Sequence, residues 1–489
     1  MNSFKITIDN FLGGYCPAWY ADTYPVYGNK NMAGSMANVD LMNPAKLSQG
    51  LYPAKMTDGD ESNYVATLIQ KILNRSISDK SFAVGGNKLY ELTYTAVIGK
   101  ASNPVLPHTI TAAHTITDSV GIEYYKGKVY YSYYTSAAGD VGRYDMTRDS
   151  DADFDDDWAT VSGSATIVTG KPLPLHAAGN DFLYLGNGNI ISSWDNSTWT
   201  NSDLDLPTDA VICDIVWAQN RLFIANNRPP QTGNNKGYGS VVVWDGNAES
   251  WEDEIIIAGT IGALIVKDGI VYVFYDTGEQ TNGGKYKLGY ISGGTIKELA
   301  TFKDGIPSHG QVCVFKNFIM WVSGLKVYAY GSVEPSVPAM LFQVGEPFYL
   351  TGSVGALSNP FGVFPMIASS NLTTGRHLAS FNGNYFEVDA YWKSLMFPVG
   401  TAMIDRVVIY FEPIISPGAR VDVKLTTDRG KSTITLGSIT ETQMVRKSFK
   451  CGQKINNDFR VELDWTNGSG TYPLHINRIE IYGETYEQQ

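Results

Sequence analysis

A chain of 489 residues exceeds a single ordinary hydrophobic core, so two or three domains are expected. Its 49 Gly, 30 Tyr and 10 Trp, with only 18% charged residues, describe a turn-rich, aromatic, all-β chain and exclude a disordered one. The net charge of −12, with no basic run, weighs against a protein that grips DNA by releasing counterions, although an acidic wall suits nucleic acid sliding past without sticking.

The four cysteines, Cys16, Cys213, Cys313 and Cys451, lie far apart with no Cys-x-x-Cys pair. They carry no zinc or redox signal and are expected as reduced, mostly buried thiols. The first residues hold no apolar stretch of signal-peptide type. No run approaches the roughly 18–20 apolar residues of a membrane helix. A product of the cytosol that stays soluble or joins an assembly is therefore expected.

Taken in chain order, residues 1–60 form an N-terminal extended arm. Residues 4–8 alternate as one short strand, after which Pro17, Pro25, Pro44 and Pro53 break regular structure. Trp19, Tyr20 and Tyr24 make this segment too aromatic for a solvated tail. It should lie as a belt on its own domain or clasp an adjacent subunit. Residues 38–53, NVDLMNPAKLSQGLYP, run from an Asn-Val phrase through a Pro turn to Leu and Gly just before the first repeat. This phrase resembles the lead-in of bacteriophage virion propellers, the tail hub or nozzle (packaged-DNA stabilisation) proteins of short-tailed phages. The resemblance implies a virion protein, a homo-oligomeric ring, usually of six subunits, next to adaptor or fibre proteins. Such a ring extends the DNA channel and helps retain the genome. It brings no catalytic residues and no cofactor.

Residues 61–395 carry a repeat. A short apolar run after a polar turn recurs at Leu89, Val129, Leu183, Leu222, Val271 and Ile319, about 46 residues apart on average, with a weaker copy at 377–389. Most copies lead to a second strand ending in an aromatic, as at Tyr144, Trp194, Trp244, Tyr290 and Tyr330. Strands at that period predict a β-propeller of six or seven blades. A large sandwich or several small β-domains would show a similar pattern. The Trp-Asp endings lack the Gly-His partner of WD40 repeats. Residues 65–73 have helix-like spacing and read as a short helix or an outer strand. The period lapses among the prolines of 333–365. An early strand, 4–8 or residues near 64, is expected to close the ring.

The acidic run at 149–157 offers Asp149, Asp151, Asp153 and Asp155 as weak Ca²⁺ ligands. An EF-hand loop fails there, because Phe154 and Thr160 stand where Gly and Glu are needed, and a solvated loop is the plainer reading. His108 and His114 lack the spacing of a helical metal pair. The long loop at 226–239 offers Arg228, Lys236 and Tyr238 to a neighbouring subunit, and residues 278–287 form a similar loop in the next copy.

From about 396 to 489 five segments alternate with period two: 405–411, 420–425, 431–436, 459–463 and 476–481. They predict a C-terminal β-sandwich, and the closing HINRIEIYGE resembles the last strand of jelly-roll modules. Residues 426–433 match the sialidase Asp-box, which is a structural turn. A propeller glycosidase would need two facing carboxylates, for which Asp40, Asp118, Asp214 and Glu387 are candidates. No nucleophile elbow, phosphate loop or His-Glu-x-x-His motif is present. A non-enzymatic virion component is the favoured reading. A receptor- or glycan-binding tail or capsid protein, stacking Trp and Tyr on sugars, is the alternative, and a glycosidase the further one.

Overall fold

The computed structural model describes residues 2–11, 14, 33–37, 39–42, 46–49, 54–55, 67–93, 108–110, 118–135, 139–146, 153–168, 170–229, 237–277, 286–333, 339–345, 352–371, 375–381, 389–413, 418–440, 443–466 and 474–486. The regular structure is almost wholly antiparallel β-sheet.

Seven four-stranded sheets follow one another. The first holds Lys71–Ile72, Lys80–Gly85, Lys88–Thr93 and His108–Thr109; the second holds Asp118–Tyr125, Lys128–Tyr134, Gly139–Asp145 and Phe154–Asp155. The third runs Leu175–Ala177, Leu183–Asn187, Ile190–Trp194 and Trp199–Asp205, the fourth Val211–Ala218, Arg221–Arg228, Tyr238–Trp244 and Asp253–Ile257. The fifth comprises Thr260–Lys267, Ile270–Asp276, Tyr286–Ser292 and Thr295–Phe302, the sixth Val312–Phe315, Phe318–Ser323, Lys326–Gly331 and Met340–Gly345. The seventh combines Ser353–Ser358, Met366–Asn371 and Gly375–Ser380 with an early strand, Ala54–Lys55.

Local chemistry sets these hairpins. The turns between first and second strands use two residues with positive φ: Lys126-Gly127, Gln219-Asn220 and Asp268-Gly269. Such turns match the right-handed twist of the flanking strands. The strands they join are rich in Val, Ile and Tyr and are mostly buried on both faces, as in Lys128–Tyr134 and Arg221–Arg228.

Each sheet packs its first strand against the first strand of the next, and the seventh returns to the first. That closed circuit makes the architecture a β-propeller. The close approach is visible at Gly355, where an added Cβ would lie 2.0 Å from the Ile69 carbonyl oxygen. There the Ala356 N–H donates to Ile69 O at 2.9 Å and the Leu357 N–H to Gly310 O at 2.8 Å, tying the seventh sheet to both neighbours. Side chains add staples. Asn227 accepts from the Ile261 N–H and donates to Ile261 O, both at 2.8 Å, and Ser132 Oγ donates to Leu173 O at 2.5 Å.

Beside a two-stranded hairpin, Val39–Asp40 with Ser48–Gln49, two larger sheets lie outside the propeller among the described residues. One orders Asn2–Ile8, Ile476–Thr485, Ala402–Phe411 and Arg446–Ile455; the other orders Ala33–Ala37, Asp389–Ser394, Asp458–Thr466, Arg420–Thr427 and Ser432–Ile439, with Phe397–Pro398 beside Asp458–Thr466. Ile404, Val407, Ile409, Ile479 and Ile481 from one meet Trp392, Val421, Val423, Leu463 and Trp465 from the other. The same apolar cluster takes in Phe318, Met320 and Phe342 of the sixth propeller sheet and Leu357, Ile367 and Ala379 of the seventh.

Some expectations are sharpened and others need correcting. Over its described residues the N-terminal arm lies on its own chain, one of the two placements expected of it, and does so as sheet: Asn2–Ile8 pairs with Ile476–Thr485, and Ala33–Ala37 with Asp389–Ser394. Phe4, Ile6 and Ile8 alternate toward the shared core, which a solvent-borne strand would leave exposed. The closing strand is Ala54–Lys55, bonded to Ala379 and Ser380, and not 4–8, which pairs with Ile476–Thr485; the segment near 64 lies outside the described residues. The helix-like stretch supplies an inner strand, Lys71–Ile72, because the ring needs an extended segment there. The prolines of 333–365 interrupt but do not abolish the repeat, since Met340–Gly345 and Ser353–Ser358 lie among them. Leu89 sits in the third strand of its sheet, whereas Val129, Leu183, Leu222, Val271 and Ile319 sit in second strands, so the first marker was out of phase. The copy at 377–389 splits: Gly375–Ser380 belongs to the seventh propeller sheet and Asp389–Ser394 to the C-terminal pair.

Candidate functional site

The first strands of the propeller sheets converge on a central cavity of about 210 Å³. Five titratable side chains line it: Lys71, Glu123, His176, Asp214 and His309. The first four come from the first strands of sheets one to four, and His309 from the turn before the sixth sheet. Aliphatic side chains of the fifth sheet, Leu264, Ile265 and Val266, complete much of the wall.

Asp214 is the anchor. It follows a bulge in its strand, where the register shifts between Ile212 and Asp214. Bulges re-aim side chains, and this one turns Asp214 toward the ring's centre. The side chain is 2% exposed. One carboxylate oxygen, Oδ1, accepts from the Ile215 N–H at 2.8 Å and faces His309 Nδ1 at 2.5 Å. The other, Oδ2, accepts from the Leu264 N–H at 2.7 Å. One carboxylate therefore binds the fourth sheet, the fifth sheet and the turn into the sixth. Burial alone would raise its pKa, but His309, Lys71 and these N–H donors outweigh burial and hold it below the ordinary carboxylate value.

His176 forms the companion link. Its Nε2 accepts from the Trp217 N–H at 3.0 Å, which leaves the proton on Nδ1, 3.8 Å from Glu123 Oε1. This ties the third sheet to the fourth and points toward the second. Burial pushes the His176 pKa down to about 4, and it lowers those of His309 and Lys71 as well. Glu123 goes the other way: burial raises it to about 7, against the pull of Lys71 and Arg75. One cavity thus holds an ionised Asp214 and a Glu123 poised between its two forms near neutrality. Environments that push two carboxyls apart in this way provide an acid and a base together. A second cavity of about 440 Å³ lies on the other side of His309, lined by Cys213, Gly262, Pro174, Pro307 and Val354. Burial raises the Cys213 thiol pKa far above its ordinary value, and its Sγ faces the Ala225 and Ile261 carbonyls, so it is no nucleophile.

The expected site residues scatter. Asp214 alone of the four candidate carboxylates is seen to line the cavity. Asp40 pairs with Ser48 in a small hairpin near the C-terminal sheets, and Asp118 begins the first strand of the second sheet. Glu387 lies outside the described residues, as do Trp19, Tyr20, Tyr24, Lys236, Asp149, Asp151 and His114. Arg228 and Tyr238 are spent on their own hairpin: the guanidinium donates to Tyr238 Oη at 2.7 Å and to Glu254 at 3.1 Å, and is only 12% exposed.

The acidic run serves the second sheet. Tyr131 and Tyr133 donate at 2.5 Å to Asp156 and Asp157, and His108 Nε2 sits 3.0 Å from Asp156. Asp153 is buried, and Asp155 accepts from Ser162 Oγ at 3.0 Å. Among the described residues no group of three His, Cys, Asp or Glu side chains is arranged to hold a metal ion. The Asp-box residue Asp428 accepts from the Asn456 and Asn457 N–H groups at 3.0 Å, as a structural turn does.

Lys71, Glu123, His176 and His309 went unremarked in the sequence. Their signal was a lone charged or imidazole group inside or just before an inner strand. That signal is readable only once the inner strand of each repeat is known.

No protein-family model and no curated protein matches this chain. Among solved structures it is similar to the computationally designed Ika8 protein (11% identity, TM-score 0.40, 68% of this chain and 100% of that one). It is also similar to the N-terminal domain of Nup159 (11% identity, TM-score 0.39, 68% and 95%). A third likeness is to a glycoside hydrolase family 43 arabinoxylan arabinofuranohydrolase from Bacillus subtilis (9% identity, TM-score 0.27, 88% and 99%). At these values the likenesses carry no argument, and the fold rests on the sheets themselves.

Proposed function

We propose that this chain is a non-enzymatic structural subunit of a bacteriophage virion, a tail hub or nozzle component. Its seven sheets are seven blades of one propeller, and the two C-terminal sheets are a β-sandwich. Copies form a ring, with six as the expected number, that extends the DNA channel and helps retain the packaged genome beside adaptor or fibre proteins. The observation that carries this reading is the apolar core shared by the sixth and seventh blades and the sandwich. Domains that move against one another usually meet across small, polar interfaces. Here they are fused, which suits a load-bearing strut. The lead-in phrase resembling phage propellers contributes to the fusion: Leu47 exchanges backbone hydrogen bonds with Ile476 at 3.0 and 2.8 Å, and Ala54–Lys55 then closes the propeller.

The test is particle microscopy of the purified chain and of virions that contain it. Cyclic rings on the tail axis are expected. A protein that stays monomeric at micromolar concentration and is absent from particles would overturn the reading. One observation favours a second reading, a propeller glycosidase: the central cavity holds Glu123 raised to about 7 beside an ionised Asp214. Hydrolysis of a panel of aryl glycosides, lost in Glu123→Gln, would establish it; an inactive purified protein would remove it.

A further inference from the structure

The sheet Asn2–Ile8, Ile476–Thr485, Ala402–Phe411, Arg446–Ile455 turns one face to the shared core and the other outward. The strand register assembles the outer face into cross-strand rows. Lys5, Tyr482, Arg406 and Lys450 form one row, and Arg478, Tyr410 and Arg446 another. Lys454 stands opposite Met403 at the edge. The face therefore carries six cations against three acids, Glu480, Glu484 and the bulge residue Asp405, in a chain whose net charge is −12.

The cations are held in place. The Arg406 guanidinium lies 4.3 Å from the Tyr482 ring centre and that of Arg478 4.0 Å from the Tyr410 ring centre. Glu480, 5% exposed, accepts from Lys5, Tyr482 and Tyr410 at 2.8, 2.8 and 3.1 Å and fixes the rings from below. Arg406, Arg446, Lys450 and Lys454 are exposed, and no carboxylate among the described residues lies within salt-bridge distance of any of them. No run of sequence announces this patch, because its residues come from four strands.

The complementary surface is on the same chain. The outer strands and loops of the third and fourth propeller sheets expose Asp195, Asp205, Asp209, Glu249 and Asp253. The described cations between residues 175 and 257 are Arg221 and Arg228, and each is already paired, with Glu252 and Glu254. The C-terminal pair meets the propeller at the sixth sheet, through Ala33–Ala37 against Met340–Gly345, and its apolar cluster takes in residues of the sixth and seventh sheets and none of the third or fourth.

We infer that the basic C-terminal face docks the acidic flank of the third and fourth sheets of a second copy of this chain, joining copies head to tail. Such a contact is heterologous. It closes into a ring when the rotation between copies permits and otherwise propagates. The inference rests on the ring reading above and names the surfaces that would build it.

Charge-swap pairs in the full chain test it, read by sedimentation velocity. Arg406→Glu with Lys450→Glu makes the basic face acidic; Asp205→Lys with Asp253→Lys makes the acidic flank basic. Each double variant alone is expected to self-associate about a hundredfold more weakly than the parent, because like charges then meet. Mixed one to one, they should recover the oligomer, since each reversed surface then faces its opposite. The parent oligomer should dissociate as salt rises. Unchanged thermal unfolding of both variants excludes misfolding as the cause.

If both variants assemble like the parent, the inference is overturned and the ring reading survives on another interface. The same holds if the mixture fails to recover the oligomer. A parent that is monomeric at every salt concentration overturns both. If the face variant loses binding to a labelled DNA duplex while still assembling, the face serves nucleic acid and the inference is wrong.

Discussion

The molecule carries two concentrations of charge that behave in opposite ways. At the centre of the propeller, Asp214 and His309 are almost sealed from solvent, and every Asp214 contact reaches a different element of the ring. On the outer C-terminal face, Arg406, Lys450 and Lys454 stand in water, and among the described residues no carboxylate lies within salt-bridge distance of them. Buried charge is costly unless each lone pair is satisfied, so the central cluster is an architectural commitment. Exposed charge costs little and stabilises little, which leaves it free for a partner. The same residue types thus hold the fold together in one place and remain available for recognition in the other.

The sharpest way to break this contrast is Asp214→Ala. It would orphan the Leu264 and Ile215 N–H groups and His309 at once, and a loss of about 3–5 kcal/mol in chemical denaturation is expected. A loss below 1 kcal/mol would mean that the ring does not depend on its centre.

Titration should reveal a hidden balance of about 2–3 kcal/mol. His176 is lowered to about 4 from an ordinary 6.5, so the unfolded chain takes up its proton first and stability falls as pH drops through that window. His309, also lowered, acts in the same direction. Glu123 is raised to about 7 from 4.5, so the folded chain holds the proton longer and stability rises as pH drops from 7 to 4.5. The slopes oppose one another between pH 4.5 and 6.5, and the parent should show a shallow profile there. In Glu123→Gln the histidine slope is opposed by Asp140, which burial raises to about 6, and no longer by Glu123, so denaturant midpoints should fall more steeply across the same window than in the parent. Parallel profiles in parent and variant would show that Glu123 is not protonated on folding.

Smaller effects belong to the outer face. Glu480 is held down at about 2; burial opposes this, but hydrogen bonds from Lys5, Tyr482 and Tyr410 outweigh it. Glu480→Gln should cost about 1 kcal/mol in thermal or denaturant unfolding and loosen the stacked arginines. Lys450→Ala should change monomer stability by no more than about 0.5 kcal/mol. A larger loss from Lys450→Ala than from Glu480→Gln would reverse the comparison.

Much of the architecture was legible beforehand, and the reasons differ by region. The propeller hairpins announce themselves because each is local: Arg221–Arg228 and Tyr238–Trp244 need only each other and a turn. The C-terminal strands were legible from alternation, as in Arg420–Thr427. What escaped was pairing at a distance. Nothing in the phrase Phe4, Ile6, Ile8 says that its partner is Ile476–Thr485, and nothing in Ala54–Lys55 says that it completes the seventh sheet. The central site was half visible for the same reason. Asp214 could be nominated from its place in a repeat, but Glu123, His176 and His309 become a cluster only when separate repeats are wrapped into a circle. The basic face was invisible as a run, because strand register and not sequence proximity assembles it.

The strand Ala54–Lys55 has a bearing on how the chain folds. It is made early and waits for Gly375–Ser380, while Lys5 waits for Glu480, 475 residues away. Contacts so remote are slow to form. Until they do, the seventh sheet presents an unpaired edge, and the vacant place at that edge fits the same short strand from any other copy in reach. High concentration during synthesis therefore favours exchange of this segment between chains. A refolding yield that falls as protein concentration rises, and recovers on dilution, would be the kinetic mark of a ring fastened by a strand that precedes its first sheet.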